Sequence, residues 1–294
     1  MNYTIENEYL KITVASHGAE VISVINKADG AECMWEGDPK VWGRHSPILF
    51  PYTGKLTDGK MQAKGQIYTG GQHGFARDLE HRLVRRTETA LVLELASGEE
   101  TLSRFPYDFV LRSHICLEGR QVIHTLEVVN PSETETLRFG IGYHPAFACP
   151  FDAGHDTEDY EFRFDEEESP LVIDARPNGL LSGKNYYLGA NIRRVQLTDR
   201  LFDNDSFCMV NLKSRTLGIY EKDTGRSIVC DIAGYPYCLI WSKNTEKVRF
   251  VCIEPWRSLT GPEEGSIDWD QRPAAAVLAP GESWQTTLTT TFNR

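Results

Sequence analysis

The chain has 294 residues, 40% of them hydrophobic and 25% charged, with a formal net charge of −11 at pH 7. This is ordinary globular composition with ample material for a large core. The acidic excess excludes nucleic acid or an anionic membrane as the principal partner, because phosphate backbones are held mainly by basic patches.

The opening MNYTIENEYLKITVAS has no basic segment followed by an apolar one. No later run approaches the roughly 18 apolar residues of a membrane helix, so a cytoplasmic protein is expected. Seven cysteines, at 33, 116, 149, 208, 230, 238 and 252, are odd in number and widely spaced, without a CxxC pair for zinc. They read as reduced, packed thiols.

Along the chain the pattern is of strands. YTIEN, LKITVAS and EVISVIN come first, followed by LVLELAS. In FVLRSHICLEG, the residues Phe109, Leu111, Ile115 and Leu117 share one face at period two, and in QVIHTLEVVN so do Val122, Leu126 and Val128. A turn at Glu118, Gly119 and Arg120 joins them as a hairpin. Further strands are predicted at LRFGIG, EFRFD, FCMVNL, LGIYEK, SIVCDI, YCLIWS, VRFVCIE and WQTTLTTTF. The acidic run Asp165, Glu166, Glu167, Glu168 reads as a solvated loop or strand end. Helical periodicity over ten or more residues is absent, as are fixed repeats and a Pro/Gly/Ser linker. The expectation is an all-β protein, a large sandwich of antiparallel sheets forming one domain over 1–294.

In such a fold, chemistry belongs in loops and strand ends. Three stretches stand out: GGQHGFARD with His73 and Arg77, GYHPAF with His144, and VCIEPW with Glu254. Glu254 follows the apolar residues Phe250, Val251, Cys252 and Ile253 and reads as a carboxylate ending a buried strand. Burying it unpartnered is costly, so it has either a catalytic task or a salt bridge. His73 and His144 lie among glycines, aromatics and a proline. His17, His45, His81, His114, His124 and His155 read as packed or surface side chains, although His45 lies close to the segment WGRHSPILFP. A metal site of two histidines and one glutamate is a rival reading of the main trio, ranked lower because no HExxH or HxH pattern is present.

The order ILFPYTGKLTDGK, HGFAR, GYHPAF, CIEPW resembles the aldose 1-epimerase (galactose mutarotase-like) superfamily, within it the LacX-like branch, over essentially the whole chain. The resemblance implies the large antiparallel β supersandwich. It also implies an isomerase that interconverts the α and β anomers of a free hexose, with no metal or organic cofactor. By the same resemblance the catalytic acid falls on His144, a second histidine on His73 and the catalytic carboxylate on Glu254. An aspartate for sugar hydroxyls falls on Asp205, with Asp203 the alternative. Many mutarotases carry arginine after a glycine where this chain has Gly54 and Lys55, and lysine lacks the two-pronged donor geometry. Phe75, Tyr143, Phe147 and Trp256 are candidates to cover the sugar's apolar face.

Some members of the superfamily act on hexose 6-phosphates, and Arg77 with Lys55 suits a phosphate. A free aldose such as galactose or glucose is preferred, with a small-molecule sugar as the partner and a monomer or homodimer as the assembly. A non-catalytic sugar-binding module of the same fold is a rival, weakened by the presence of both an acid and a base. A lyase or hydrolase is another, weakened because hydrolysis asks for paired carboxylates and one stands out here.

Overall fold

The computed structural model describes residues 1–176 and 178–293. Strand pairing dominates it, and the pairing is antiparallel throughout the named strands. Helix is confined to one four-residue turn at Glu99–Leu102 and to three-residue 3₁₀ turns. No helix among the described residues is long and apolar enough to cross a membrane.

The larger sheet has nine strands. Its order is Ile192–Gln196, Tyr160–Glu168, Thr216–Glu221, Ser227–Asp231, Ser283–Asn293, Gln121–Val129, Val110–Glu118, Ala90–Ala96 and Arg82–Arg86. The central hairpin behaves as its alternation dictates. Gln121 pairs with Glu118 and Val129 with Val110 across a tight turn at Gly119, whose φ of +55° favours glycine. Leu111, Ile115, Leu117, Val122, Leu126 and Val128 all point inward and are buried. Ser113 and His124 share that buried face, where the Ser113 hydroxyl meets His124 Nε2 at 2.7 Å and leaves neither polar group stranded.

The second sheet carries the site. Its path is Asn185–Tyr187, Leu171–Ile173, Phe207–Val210, Tyr237–Trp241, Phe250–Trp256, Gly142–Tyr143 and Ile48–Leu49, with Ala146–Ala148 also paired to Phe250–Trp256. One buried apolar cluster includes Leu111, Ile115, Leu126 and Leu288 of the nine-stranded sheet and Phe147, Ile240, Val251 and Ile253 of the second. The core therefore joins the two sheets.

Two expectations need correction. The strand carrying Glu254 does not end there but continues through Pro255 to Trp256, and all seven of its residues are buried. The acidic run is not simply a solvated end. It lies in the Tyr160–Glu168 strand at a break in register, and Glu168 is buried, accepting hydrogen bonds from the backbone N–H groups of Lys213 (2.7 Å) and Ser214 (2.6 Å). Its carboxylate finishes a turn that the strand ladder leaves open.

Leu126 is fully buried at the centre of the hairpin. Leu126→Ala is expected to lower the unfolding free energy by about 2–5 kcal/mol, through lost transfer energy and the cavity left behind. Urea unfolding followed by circular dichroism measures this.

Candidate active site

Side chains of Phe250–Trp256 alternate across the sheet. Val251 and Ile253 enter the main core, whereas Phe250 and Cys252 join a smaller cluster with Trp35 and Ala146. Glu254 and Trp256, on that same side, line a cavity of about 540 Å³. Gly142 pairs with Trp256 and Ala146 with Cys252, so His144 falls opposite Glu254 between two bridged positions. Pro145 lacks the N–H that would continue the ladder there. His144 Nε2 stands 3.4 Å from Glu254 Oε2, with the two side chains 7% and 2% exposed. Gly142 is required by this packing, because a Cβ there would lie 2.7 Å from the Trp256 ring.

His73 comes from the loop before Ala76–Asp78 and has a left-handed φ of +68°. Its backbone N–H donates to the Gly54 carbonyl (2.6 Å), and the Gly54 N–H donates back to His73 Nδ1 (3.0 Å). With Nδ1 accepting, the neutral ring carries its proton on Nε2. Gly54, at φ +63°, leaves no room for a side chain, since a Cβ would fall 2.3 Å from Thr260. The His73 ring lies edge-on to His144 and to Trp256, each with centroids 5.5 Å apart.

Burial governs the charges. It pushes the Glu254 carboxyl well above the usual carboxylate range, and the negative charge of Asp205 adds to the effect. It pulls His144 down to about 3, with Arg77 and Arg44 acting in the same direction. His73 is driven well below its ordinary value by burial first and His144 second. Burial thus disfavours the charged form of both groups, and neither shift has the other member of the pair among its causes.

Sequence reasoning overlooked three aromatic or basic walls. Trp42 stacks on His144 with centroids 4.9 Å apart and 24° between planes, and Trp241 meets the same ring edge-on. Arg44 lines the cavity beside Arg77 and binds Asp78 at 2.6 Å. No local pattern marks these residues, although Trp42 and Arg44 lie in the segment already noted around His45. His45 itself turns to the Glu36 carbonyl (3.2 Å) and does not line the cavity.

Among the other expected contacts, Arg77, Lys55, Asp203, Asp205 and Trp256 all line the cavity. Lys55 Nζ donates to the Asn178 carbonyl at 2.5 Å. Arg77 donates to the Gln72 carbonyl at 2.6 Å, its Nε is buried without a partner, and burial together with Arg44 lowers its pKa to about 10. Asp203 is engaged by Arg200, whereas Asp205, at φ +76°, bears electrostatically on Glu254.

Phe75 is a correction: it is buried against Phe109 and does not reach the cavity. Tyr143 and Phe147 are likewise core. The Tyr143 hydroxyl donates to the carbonyls of His124 (2.7 Å) and Thr286 (2.8 Å), and Phe147 packs on Phe292. Period two explains both, since they flank His144 and Ala146 on the opposite face.

The β-sandwich thus holds a buried carboxyl–imidazole contact on a cavity walled by polar and aromatic side chains. The particular family is established by comparison. Residues 1–291 match the family model described as aldose 1-epimerase, and the chain belongs to that family of isomerase-type enzymes. It is 32% identical over 287 residues to protein LacX (plasmid) of Lactococcus lactis subsp. lactis, covering 95% of each chain. A galactose mutarotase related enzyme from Lactobacillus acidophilus superposes with a TM-score of 0.94 at 30% identity, covering 100% of this chain and 98% of that one. A galactose mutarotase-like protein from Lactobacillus casei superposes with a TM-score of 0.91 at 29% identity, covering 99% of each.

The depressed histidines have a consequence for stability. His73, His81, His124 and His144 are all buried, with burial holding His81 at about 4 and His124 at about 3. Between about pH 6.5 and pH 4 the unfolded chain protonates these histidines and the folded chain does not, so their contribution is lost as pH falls. Glu254, raised in the fold, works in the opposite direction, as does the partly exposed His155, raised by Asp152. Stability is expected to decline over that window. His124→Gln should take up about one proton fewer on unfolding near pH 5, as read from the pH dependence of urea-unfolding free energies.

Proposed function

We propose that this protein is an aldose 1-epimerase that interconverts the α and β anomers of a free hexose such as galactose or glucose. The observation that carries the reading is the buried contact between His144 Nε2 and Glu254 Oε2 at 3.4 Å. Opening a cyclic hemiacetal removes a proton from the C1 hydroxyl and delivers one to the ring oxygen. Both oxygens are bonded to the same carbon, so an acid and a base side by side can address them together. Glu254 as a carboxylate takes the hydroxyl proton and His144 as an imidazolium protonates the ring oxygen as the C1–O5 bond breaks; burial disfavours both charges, so the sugar is bound by this ionised form of the pair. After rotation about C1–C2 the two groups reverse roles, and the ring closes on the other face of the carbonyl.

The cycle returns both groups to the protonation states in which it began. The Trp42 face supports the imidazolium form through its ring quadrupole. His73, with its proton on Nε2, donates to the ring oxygen or a neighbouring hydroxyl. Asp205 and Lys55 bind hydroxyls further out, and Trp256 covers an apolar patch of the sugar. The chain itself supplies every proton transfer in this scheme.

A second reading, an aldose bearing an anion such as a 6-phosphate, is favoured by one observation. Arg77 lines the cavity, is mostly buried, and has its Nε unpartnered beside the like-charged Arg44. A substrate anion would satisfy that guanidinium.

Glu254→Gln and His144→Asn are each expected to lower the anomer-exchange rate by about 100-fold or more with the fold retained. Polarimetry or NMR exchange on free galactose and glucose reads the effect, and wild-type rates in either variant would remove that residue from the reaction. Arg77→Ala separates the two substrate readings. It should weaken a 6-phosphorylated hexose by about 1.5–3 kcal/mol relative to the free sugar if Arg77 holds an anion, and should affect both alike otherwise.

A further inference from the structure

The Phe250–Trp256 strand brings a third kind of donor to the acid–base pair. Cys252 precedes Glu254 by two residues and so projects from the same side of the sheet, and Ala146, two residues beyond His144, is its cross-strand partner. One donor atom from each of His144, Cys252 and Glu254 consequently lies within 4.8 Å of the other two. All three side chains are buried.

We propose that His144, Cys252 and Glu254 form a binding site for a thiophilic divalent cation of the zinc class, and that this cation and the sugar occupy the pocket in alternation. The second half rests on the reaction proposed above; the first does not.

An imidazole nitrogen, a thiolate and a carboxylate are the donors that zinc selects, whereas calcium and magnesium ask for oxygen alone. Ligands about 2.0–2.3 Å from a tetrahedral zinc stand about 3.3–3.6 Å from one another. The His144 and Glu254 donors already have that spacing at 3.4 Å, and Cys252 Sγ needs an approach of up to about 1.2–1.5 Å. His144 and Glu254 line the cavity while Cys252 packs in the cluster with Trp35, Ala146 and Phe250, so a cation held by all three would sit at the cavity wall. Binding is ligand exchange without redox change, in which the Cys252 thiol proton and the Glu254 carboxyl proton pass to solvent. The metal then occupies the lone pairs that would accept and deliver protons.

A second cluster, Asp152, His155 and Glu221, has similar donor spacing but is already filled. The Arg226 guanidinium binds Glu221 at 2.6 Å and Asp152 at 2.5 Å, so a metal there would have to displace a buried-end ion pair.

Titration of the full-length protein with Co²⁺, in the absence of sugar, tests the site. The wild type should develop a thiolate-to-cobalt charge-transfer band that Zn²⁺ bleaches, and both Cys252→Ser and Cys252→Ala should lose it while retaining native circular dichroism. No band, or a band that survives in both variants, overturns the assignment. Zn²⁺ should also inhibit anomer exchange, with the inhibitory concentration raised at least about tenfold in Cys252→Ser, since removing even an outer-shell partner of a metal costs that much affinity. A band with exchange untouched by Zn²⁺ overturns the alternation. If the band forms but no sugar is ever exchanged, the cation site stands and the proposed reaction falls.

Discussion

A carboxyl group and an imidazole withdrawn from water both resist carrying charge, and the structure is organised to hold Glu254 and His144 together in that setting. Solvation would otherwise fix the carboxylate as an anion and let the imidazole titrate independently. The strand bearing Glu254 is buried along its whole length, with its far side in the main core. His144 is held opposite by the flanking pairs Gly142 with Trp256 and Ala146 with Cys252. Indole rings at Trp42, Trp241 and Trp256 occupy the space where water would enter.

Around the pair the field is divided. Asp205 contributes negative charge that bears on Glu254, and Arg77 and Arg44 contribute positive charge that bears on His144. The paired hydrogen bonds between Gly54 and His73 fix a neutral donor edge-on to His144.

The sheet architecture was legible because burial on one face enforces period two, as in Phe109–Leu117 and Val122–Val128. The short strands Asn185–Tyr187 and Ile192–Gln196 were not, because their side chains are largely exposed and carry no alternation to read. At the site, His73, His144 and Glu254 stood out by their flanking residues, but their roles came only from the family resemblance. Trp42, Trp241 and Arg44 could not, since they meet the pair only through tertiary pairing of distant segments. Phe75 shows the opposite failure: adjacency to His73 in sequence suggested a shared role, but the turn at Gly74 sends successive side chains to different places. A Cβ at Gly74 would sit 2.2 Å from the Phe50 carbonyl oxygen, so that turn is tightly pinned.

The division of labour between sheet and loops bears on how such a protein diversifies. Glu254 and His144 are embedded in strand pairing, where a one-residue slip would exchange Glu254 with the core residue Ile253. The outer wall of the cavity comes from connections instead, through Arg44, Lys55, Gln72, Asn178 and Asn244. Changes in those connections can alter which face or substituent of a ligand is gripped while the proton inventory beneath stays constant. Lineages descending from one ancestor can therefore drift in what they recognise without having to reinvent how they react.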